Sequence, residues 1–197
     1  MELSPRLYHW LVRPNWATRP FVNKTFDTLL QDIDFRNKDI LDFGCGVGSI
    51  CFKFDPKHYV GVDYDYRRIR YARCMNRNYQ FLNFNGSTID LETQSLDYIL
   101  IMAVLHHIPS SQLHKYFHEF HRVLRTNGKI IVIEPCFLKD SKYRNWYMKT
   151  FDKGNYIRNQ EEYMELFSRN NYHIDNVNIF CKNFVYNEIF FVASQHQ

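Results

Sequence analysis

The sequence predicts an α/β fold in which a parallel sheet is covered by helices on both faces. Three observations lead there. Short apolar runs recur at Asp39–Phe43, Tyr59–Val62, Tyr79–Phe84, Asp97–Met102 and Lys129–Ile133. Helix-like stretches separate them, and strands that alternate with helices pair in parallel and lie buried on both faces. The third observation is glycine. The 197 residues include only 7 glycines, and Gly44, Gly46 and Gly48 cluster directly after the first apolar run.

The elements follow in order. Ser4-Pro5 reads as the cap and first turn of a short aromatic helix to Val12, which Pro14 ends. A second helix is expected from Arg19 to Gln31. Asp39–Phe43 is a buried strand that delivers into the glycines, and Tyr59–Val62 repeats the pattern and ends on Asp63. An arginine-rich helix follows from Asp65 to Met75, then a third strand at Tyr79–Phe84 and a fourth at Asp97–Met102. Ser110–Leu124 reads as a helix stopped by Asn127-Gly128, and Lys129–Ile133 as a fifth strand broken by Pro135. After Pro135 the rhythm changes. Ser141–Phe151 and Asn159–Asn170 read as helices, and Ile174–Cys181 with Tyr186–Ala193 as an antiparallel hairpin around Lys182-Asn183. With no repeat and no dividing linker, a single domain over 1–197 is expected.

Composition narrows the class. A chain with 45% hydrophobic, 23% charged and 17% aromatic residues is neither disordered nor collagen-like. Its net charge of +4 and pI near 8.7 fall short of a nucleic-acid footprint by themselves. The five cysteines (Cys45, Cys51, Cys74, Cys136, Cys181) are odd in number and lack CxxC spacing. That argues against a disulfide framework or a zinc site, so no metal is expected and a reducing compartment is. There is no apolar signal core and no run of about 18 apolar residues, so a soluble, cytoplasmic protein without membrane contact is expected.

The sharpest local signal is Asp42-Phe-Gly44-Cys45-Gly46-Val-Gly48. Glycines after a buried strand let the backbone turn tightly and approach a ligand. The spacing is GxGxG, Ser49 stands where the dinucleotide pattern has its third glycine, and no phosphate-loop lysine follows. Asp42 would sit badly beside a pyrophosphate but well beside an ammonium group. Asp63, at the end of the next strand, can accept from both hydroxyls of a ribose. These features describe a nucleoside-like ligand, cationic at one end and free of phosphates: S-adenosyl-L-methionine.

The pattern resembles the class I S-adenosylmethionine-dependent methyltransferases, in the type 11 branch, over about Lys38 to Glu134. Ile40-Leu-Asp-Phe-Gly-Cys-Gly-Val-Gly48 is similar to the family's first motif, and Val60-Gly-Val-Asp63 to its second. Ser95-Leu-Asp97 with Tyr98–Leu105 and His106-His107-Ile108 resembles the fourth-strand motif, and His121-Arg-Val-Leu-Arg-Thr-Asn-Gly128 the approach to the fifth strand. The resemblance implies a Rossmann-like seven-stranded sheet, mostly parallel with an antiparallel last strand. It implies a helical lid at 1–38, a cofactor-binding core at 39–134, and acceptor-side helices with a C-terminal hairpin at 135–197. The cofactor residues it implies are Asp42, Gly44, Cys45, Gly46, Gly48, Asp63, Tyr64, Asn85, Gly86 and Ala103. One element departs: Asn85-Gly86 stands where the family carries an aspartate near the adenine amine, and the Asn oxygen can still accept from that amine.

Methyl transfer requires in-line alignment and exclusion of water, with a base only where the acceptor loses a proton. His106 and His107 after the fourth strand, and Glu134 ending the fifth, are the catalytic candidates. Acceptor candidates are Tyr8, Trp10 and Arg13 on the N-terminal side and Trp146 and Arg158 after the core, with Trp16, Arg19, Tyr143, Tyr147 and Phe151 as further roof residues. The expected partner is a small-molecule acceptor methylated on oxygen, nitrogen or carbon, by a monomer or homodimer. Two alternatives remain: an RNA or tRNA methyltransferase, and a non-catalytic S-adenosylmethionine-binding module. Arg67, Arg68, Arg70, Arg73 and Arg77 read either as a solvated face or as an RNA-binding stripe. The Asn-Pro-Pro-Tyr motif of amino-methylating enzymes is missing, and Cys136 reads as a packed small residue.

Overall fold

A computed structural model describes residues 15–152, 154–182 and 185–196. The predicted helix Ser4–Val12 lies outside them, as do Tyr8, Trp10 and Arg13. The chain divides into two compact units, one ending at Asp90 and one beginning at Leu91.

The first unit opens with helix α1, Asn15–Leu29, which starts before the predicted Arg19 and carries Pro20 inside. Proline lacks the amide for one intrahelical bond. Burial of Val22, Phe26 and, just past the end, Leu30 offsets that loss. Strands β1 (Ile40–Phe43), β2 (Tyr59–Asp63) and β3 (Gln80–Asn83) pair in parallel in the order β3-β2-β1, with Ile40 opposite Tyr59 and Val60 opposite Gln80. Helix α2, Tyr66–Met75, connects β2 to β3; Asp65 caps it by accepting from the Arg67 amide, and Ile69 and Ala72 are its buried positions. Between β1 and β2 the chain makes only three-residue 3₁₀ turns, at Cys51–Lys53 and Pro56–His58. Pro56 has no amide to give to a helix running through it. Phe26, Phe35, Phe54 and Tyr59 form a ring cluster with centroids 5.3 to 6.0 Å apart.

The second unit is built on β4 (Leu96–Met102), β5 (Leu124–Phe137), β7 (Tyr172–Lys182) and β8 (Tyr186–Gln195) in the order β4-β5-β8-β7. β4 and β5 are parallel; β8 is antiparallel to both β5 and β7, as the predicted hairpin requires. Helices α3 (Ser110–Val123), α4 (Lys142–Phe151) and α5 (Gln160–Ser168) fall within a residue or two of their predicted bounds, and Asn159 and Glu162 close a capping box on α5. Together the strands and helices make a Rossmann-like α/β fold with a mostly parallel sheet and an antiparallel end.

Two expectations change. β5 does not begin at Lys129 or break at Pro135. The Asn127-Gly128 turn survives as an irregularity, since Leu96 pairs with Leu124 but Tyr98 with Lys129. Past Pro135, Cys136 and Phe137 pair with β6, the unpredicted two-residue strand Arg158–Asn159, so the strand continues. Pro135 has no amide to give, but its carbonyl accepts from Tyr163 Oη at 3.0 Å. Part of the aromatic surplus also goes to core. Phe117, Phe120, Tyr163, Phe167, Tyr172 and Phe191 are all buried, whereas Tyr143, Trp146 and Phe151 on α4 are exposed.

Candidate functional site

The glycine loop is built by β1 and β2 together. The amides of Gly44 and Cys45 both donate to the Val62 carbonyl, at 2.8 and 2.9 Å, and the Gly48 amide returns to Cys45 O. This folding back puts Gly44, Gly46 and Gly48 at φ of 78°, 57° and 76°, a region an L side chain enters only under strain. Gly48 is required twice over, because a Cβ there would meet the Phe81 ring at 2.7 Å. At Gly46 a Cβ would meet nothing within 4 Å, so the loop presents bare backbone to open space. That surface suits a ligand approaching the main chain.

Asp63 is 6% exposed and ends β2. Its Oδ2 accepts from the Gly46 amide at 2.9 Å and its Oδ1 from the Asp65 amide at 2.8 Å. Each carboxylate oxygen has a second lone pair, so the group is aimed without being saturated. Burial pushes its pKa up, and the amide bonds from Asp65 and Gly46 pull against that. Asp42 is 3% exposed and accepts from Tyr59 Oη at 2.6 Å. Burial first, and the Asp42 charge second, hold the Tyr59 phenol far above its ordinary value. No helix N-terminus follows the loop, only a three-residue 3₁₀ turn, so the dipole that favours a pyrophosphate is missing. A nucleoside lacking phosphates fits these residues; a dinucleotide does not.

The remaining cofactor candidates divide. Tyr64 is 75% exposed beside Asp63. Gly86 has φ 86° and open space where a Cβ would stand. Asn85 Oδ1 already accepts from the Ser87 amide, the Ser87 hydroxyl and the Thr88 amide, so it shapes the 85–88 turn. Arg19 stands over the Phe52 ring, 5.0 Å from its centroid.

In the second unit, Ala103 follows β4 at φ 57° and donates its amide to Ile133 O at 2.9 Å. The turn after it is held by Glu134, which is fully buried and accepts from the amides of Val104, Leu105 and His106 at 2.6, 2.8 and 3.2 Å. His106 Nδ1 lies 2.8 Å from Glu134 Oε2, and its Nε2 is 3.5 Å from Asp152 Oδ1. His107 is exposed, with its ring 4.0 Å from that of His106. Arg158 is buried, and its guanidinium donates to the carbonyls of Leu105, Tyr156 and Ile108 and to Ser110 Oγ. Trp146 stands exposed on α4 between Tyr143 and Phe151, at 6.1 and 6.3 Å between centroids.

Sequence reasoning missed Asp152 as the second partner of His106, and with it Gly154, where a Cβ would fall 1.9 Å from His106 Cδ2. The scarcity of glycine was the one available signal for Gly154.

A Rossmann-like fold whose first loop carries bare glycine backbone and whose second strand ends on a buried carboxylate is consistent with a class I S-adenosyl-L-methionine-dependent methyltransferase domain. Residues 41–132 match the family model described as Methyltransferase domain, and this supports S-adenosyl-L-methionine as the cofactor. The 7SK snRNA methylphosphate capping enzyme of Homo sapiens is 47% identical over 49 residues, which is 23% of this chain and 7% of that protein. The chain spans 16% or less of the length of the curated relatives it matches. Among solved structures, the PH0226 protein of Pyrococcus horikoshii superposes with a TM-score of 0.76 at 19% identity, over 96% of both chains. Magnesium protoporphyrin IX methyltransferase of Synechocystis, solved with bound SAH, superposes with a TM-score of 0.69 at 15% identity, over 94% of this chain and 88% of that one. Among the described residues no helix is long and apolar enough to cross a membrane.

Proposed function

We propose that this chain, acting as one methyltransferase domain, catalyses S-adenosylmethionine-dependent methyl transfer to a small-molecule acceptor by direct in-line displacement. The observation that carries the reading is Asp63, a buried carboxylate fixed by the Gly46 and Asp65 amides with lone pairs left for two ribose hydroxyls. When bound, the cofactor supplies an electrophilic methyl group on a sulfonium. The chain's own residues then bind and orient. Asp63 takes the ribose, the backbone of Gly44–Gly48 lies against the nucleoside, Tyr64 covers it, and the charge of Asp42 favours the cationic end.

On the acceptor side the roles separate by burial. His106 has both ring nitrogens engaged, and Glu134 takes three amides and a ring nitrogen. Both serve as positioning residues for the turn after β4. His107 is exposed on that turn and is the general base where the acceptor must lose a proton. Trp146 provides an aromatic wall, and Arg158 holds the turn through its carbonyls.

A second reading, an RNA acceptor, is favoured by one observation: α2 carries four arginines and no carboxylate. It also agrees with the snRNA-capping relative. Calorimetry with S-adenosylmethionine and NAD tests the cofactor, and binding of NAD alone would end the methyltransferase reading. A radiolabelled-methyl screen over small molecules and RNA separates the two acceptors.

A further inference from the structure

From Tyr66 to Ile89 the chain carries five arginines (Arg67, Arg68, Arg70, Arg73, Arg77) and not one Asp or Glu. Structure sorts them. Arg67 and Arg68 lean on the capping Asp65, at 3.1 and 3.7 Å. Arg73 is anchored on strand β3: its Nε and Nη2 both donate to the Phe81 carbonyl, at 2.8 and 2.6 Å. That fixes the guanidinium and leaves Nη1 for another acceptor. Arg70 and Arg77 are exposed and have no carboxylate partner among the described residues. Ile69 and Ala72 turn inward, and the helical period then puts Tyr66, Arg70 and Arg73 on one outward stripe about 10 Å long. Arg77 follows just past the Asn76 cap. Tyr66 is 59% exposed, a large ring that packing does not account for.

We propose that this stripe, with the adjoining edge of β3, is a docking surface for single-stranded RNA. A row of cations tracks a phosphodiester backbone, and an exposed ring on the same row offers a base a stacking platform. Arg73 supports this independently, because a guanidinium already held in place loses little freedom when it takes a phosphate oxygen. Exposed Asn78 and Gln80 add amides that can donate to and accept from ribose 2′-hydroxyls, which favours RNA over DNA. An acidic peptide would use the same charges but leave the ring and the amides without a role.

The inference deepens the RNA reading above but does not depend on methyl transfer, so it is tested on the full chain without a methyl donor. Fluorescence anisotropy with a short, unstructured, end-labelled RNA is read between about 50 and 200 mM salt. Three phosphate contacts give a slope of about −2 in log K against log salt. The double variant Arg70→Glu/Arg77→Glu weakens binding at least about tenfold and flattens that slope by about 1.4. Tyr66→Ala weakens binding by about fivefold or more. Lys24→Glu, at an exposed position of α1, leaves it unchanged, and DNA of the same sequence binds more weakly. S-adenosylmethionine affinity, read by calorimetry, stays unchanged in the double variant, which separates failure of this surface from failure of the cofactor site. If the charge reversal unfolds the chain, Arg70→Gln/Arg77→Gln carries the same test with about half the effect. Wild-type RNA affinity in the double variant, equal affinity for DNA, or arginine-dependent binding to phosphatidylserine vesicles in place of RNA overturns the proposal.

Discussion

His106 and Glu134 form a buried pair, with Nδ1 and Oε2 2.8 Å apart and 3% and 0% of each residue exposed. Glu134 simultaneously takes the amides of Val104, Leu105 and His106, so one carboxylate fixes the whole turn that follows β4.

Removing that carboxylate is therefore costly. Glu134→Ala leaves three amides, those of Leu105 and His106 buried, and a ring nitrogen without this acceptor and is expected to lose about 3 to 5 kcal/mol. Glu134→Gln keeps one acceptor oxygen and recovers part of the loss. Urea denaturation of the two variants checks the order; equal stability of Glu134→Ala and wild type would refute the account.

Gly154 and Gly46 are expected to fail in different ways. A Cβ at Gly154 would sit 1.9 Å from the His106 ring, so Gly154→Ala must displace the segment and costs about 1 to 3 kcal/mol of stability. Gly46 has open space but a φ of 57°, so Gly46→Ala costs about 1 kcal/mol in backbone strain. Its larger effect falls on cofactor affinity, because the methyl group occupies the ligand's approach. Thermal melts paired with S-adenosylmethionine titrations distinguish the two.

Asp63 trades stability for binding. Its folded pKa is raised, chiefly by burial. The ionised form is thus disfavoured in the folded state, and the group's contribution to stability falls as pH rises from the unfolded carboxylate value of about 3.9 through the raised folded value. The stability of Asp63→Asn relative to wild type should improve over that interval, measured by denaturation at several pH values. Asp63→Ala loses the ribose bonds and weakens S-adenosylmethionine by about 2 to 3 kcal/mol, roughly 30- to 150-fold. An unchanged affinity would place the cofactor elsewhere.

Thiol chemistry gives an inexpensive check on packing. Burial pushes the Cys51 and Cys136 thiols up to about 12, and Cys45 well above its ordinary value. Cys74 and Cys181 are exposed. At pH 8 a thiol reagent should label Cys74 and Cys181 in the native protein and reach the other three only after denaturation. Rapid native labelling of Cys136 would contradict its placement in β5.

The loop and acid proposed to hold the cofactor were legible as a pattern because their requirements are local. A strand that runs into three glycines, followed by a second strand that ends on an acid, states its geometry in residue types, and Gly44–Gly48 and Asp63 stand as that pattern demands. The two 3₁₀ turns after the loop were not legible, because no capping or periodic signal marks three-residue turns between Phe43 and Tyr59. Cys136 and Phe137 read as loop because Pro135 precedes them, yet β6, distant in sequence, makes them strand.

By itself, then, the sequence determined the class of fold, the order of its main elements and the glycine-and-acid pattern proposed to hold the cofactor. Strand period, glycine conformation and carboxylate position are properties of short stretches. The tertiary structure decided the rest. Only folding brings Asp152 and Glu134 to opposite nitrogens of His106, spends the Arg158 guanidinium on the carbonyls of Leu105 and Ile108, and turns Phe117, Tyr163, Phe167 and Phe191 inward. Those outcomes depend on which distant side chains compete for one buried donor or one unit of volume, and no local pattern encodes that competition.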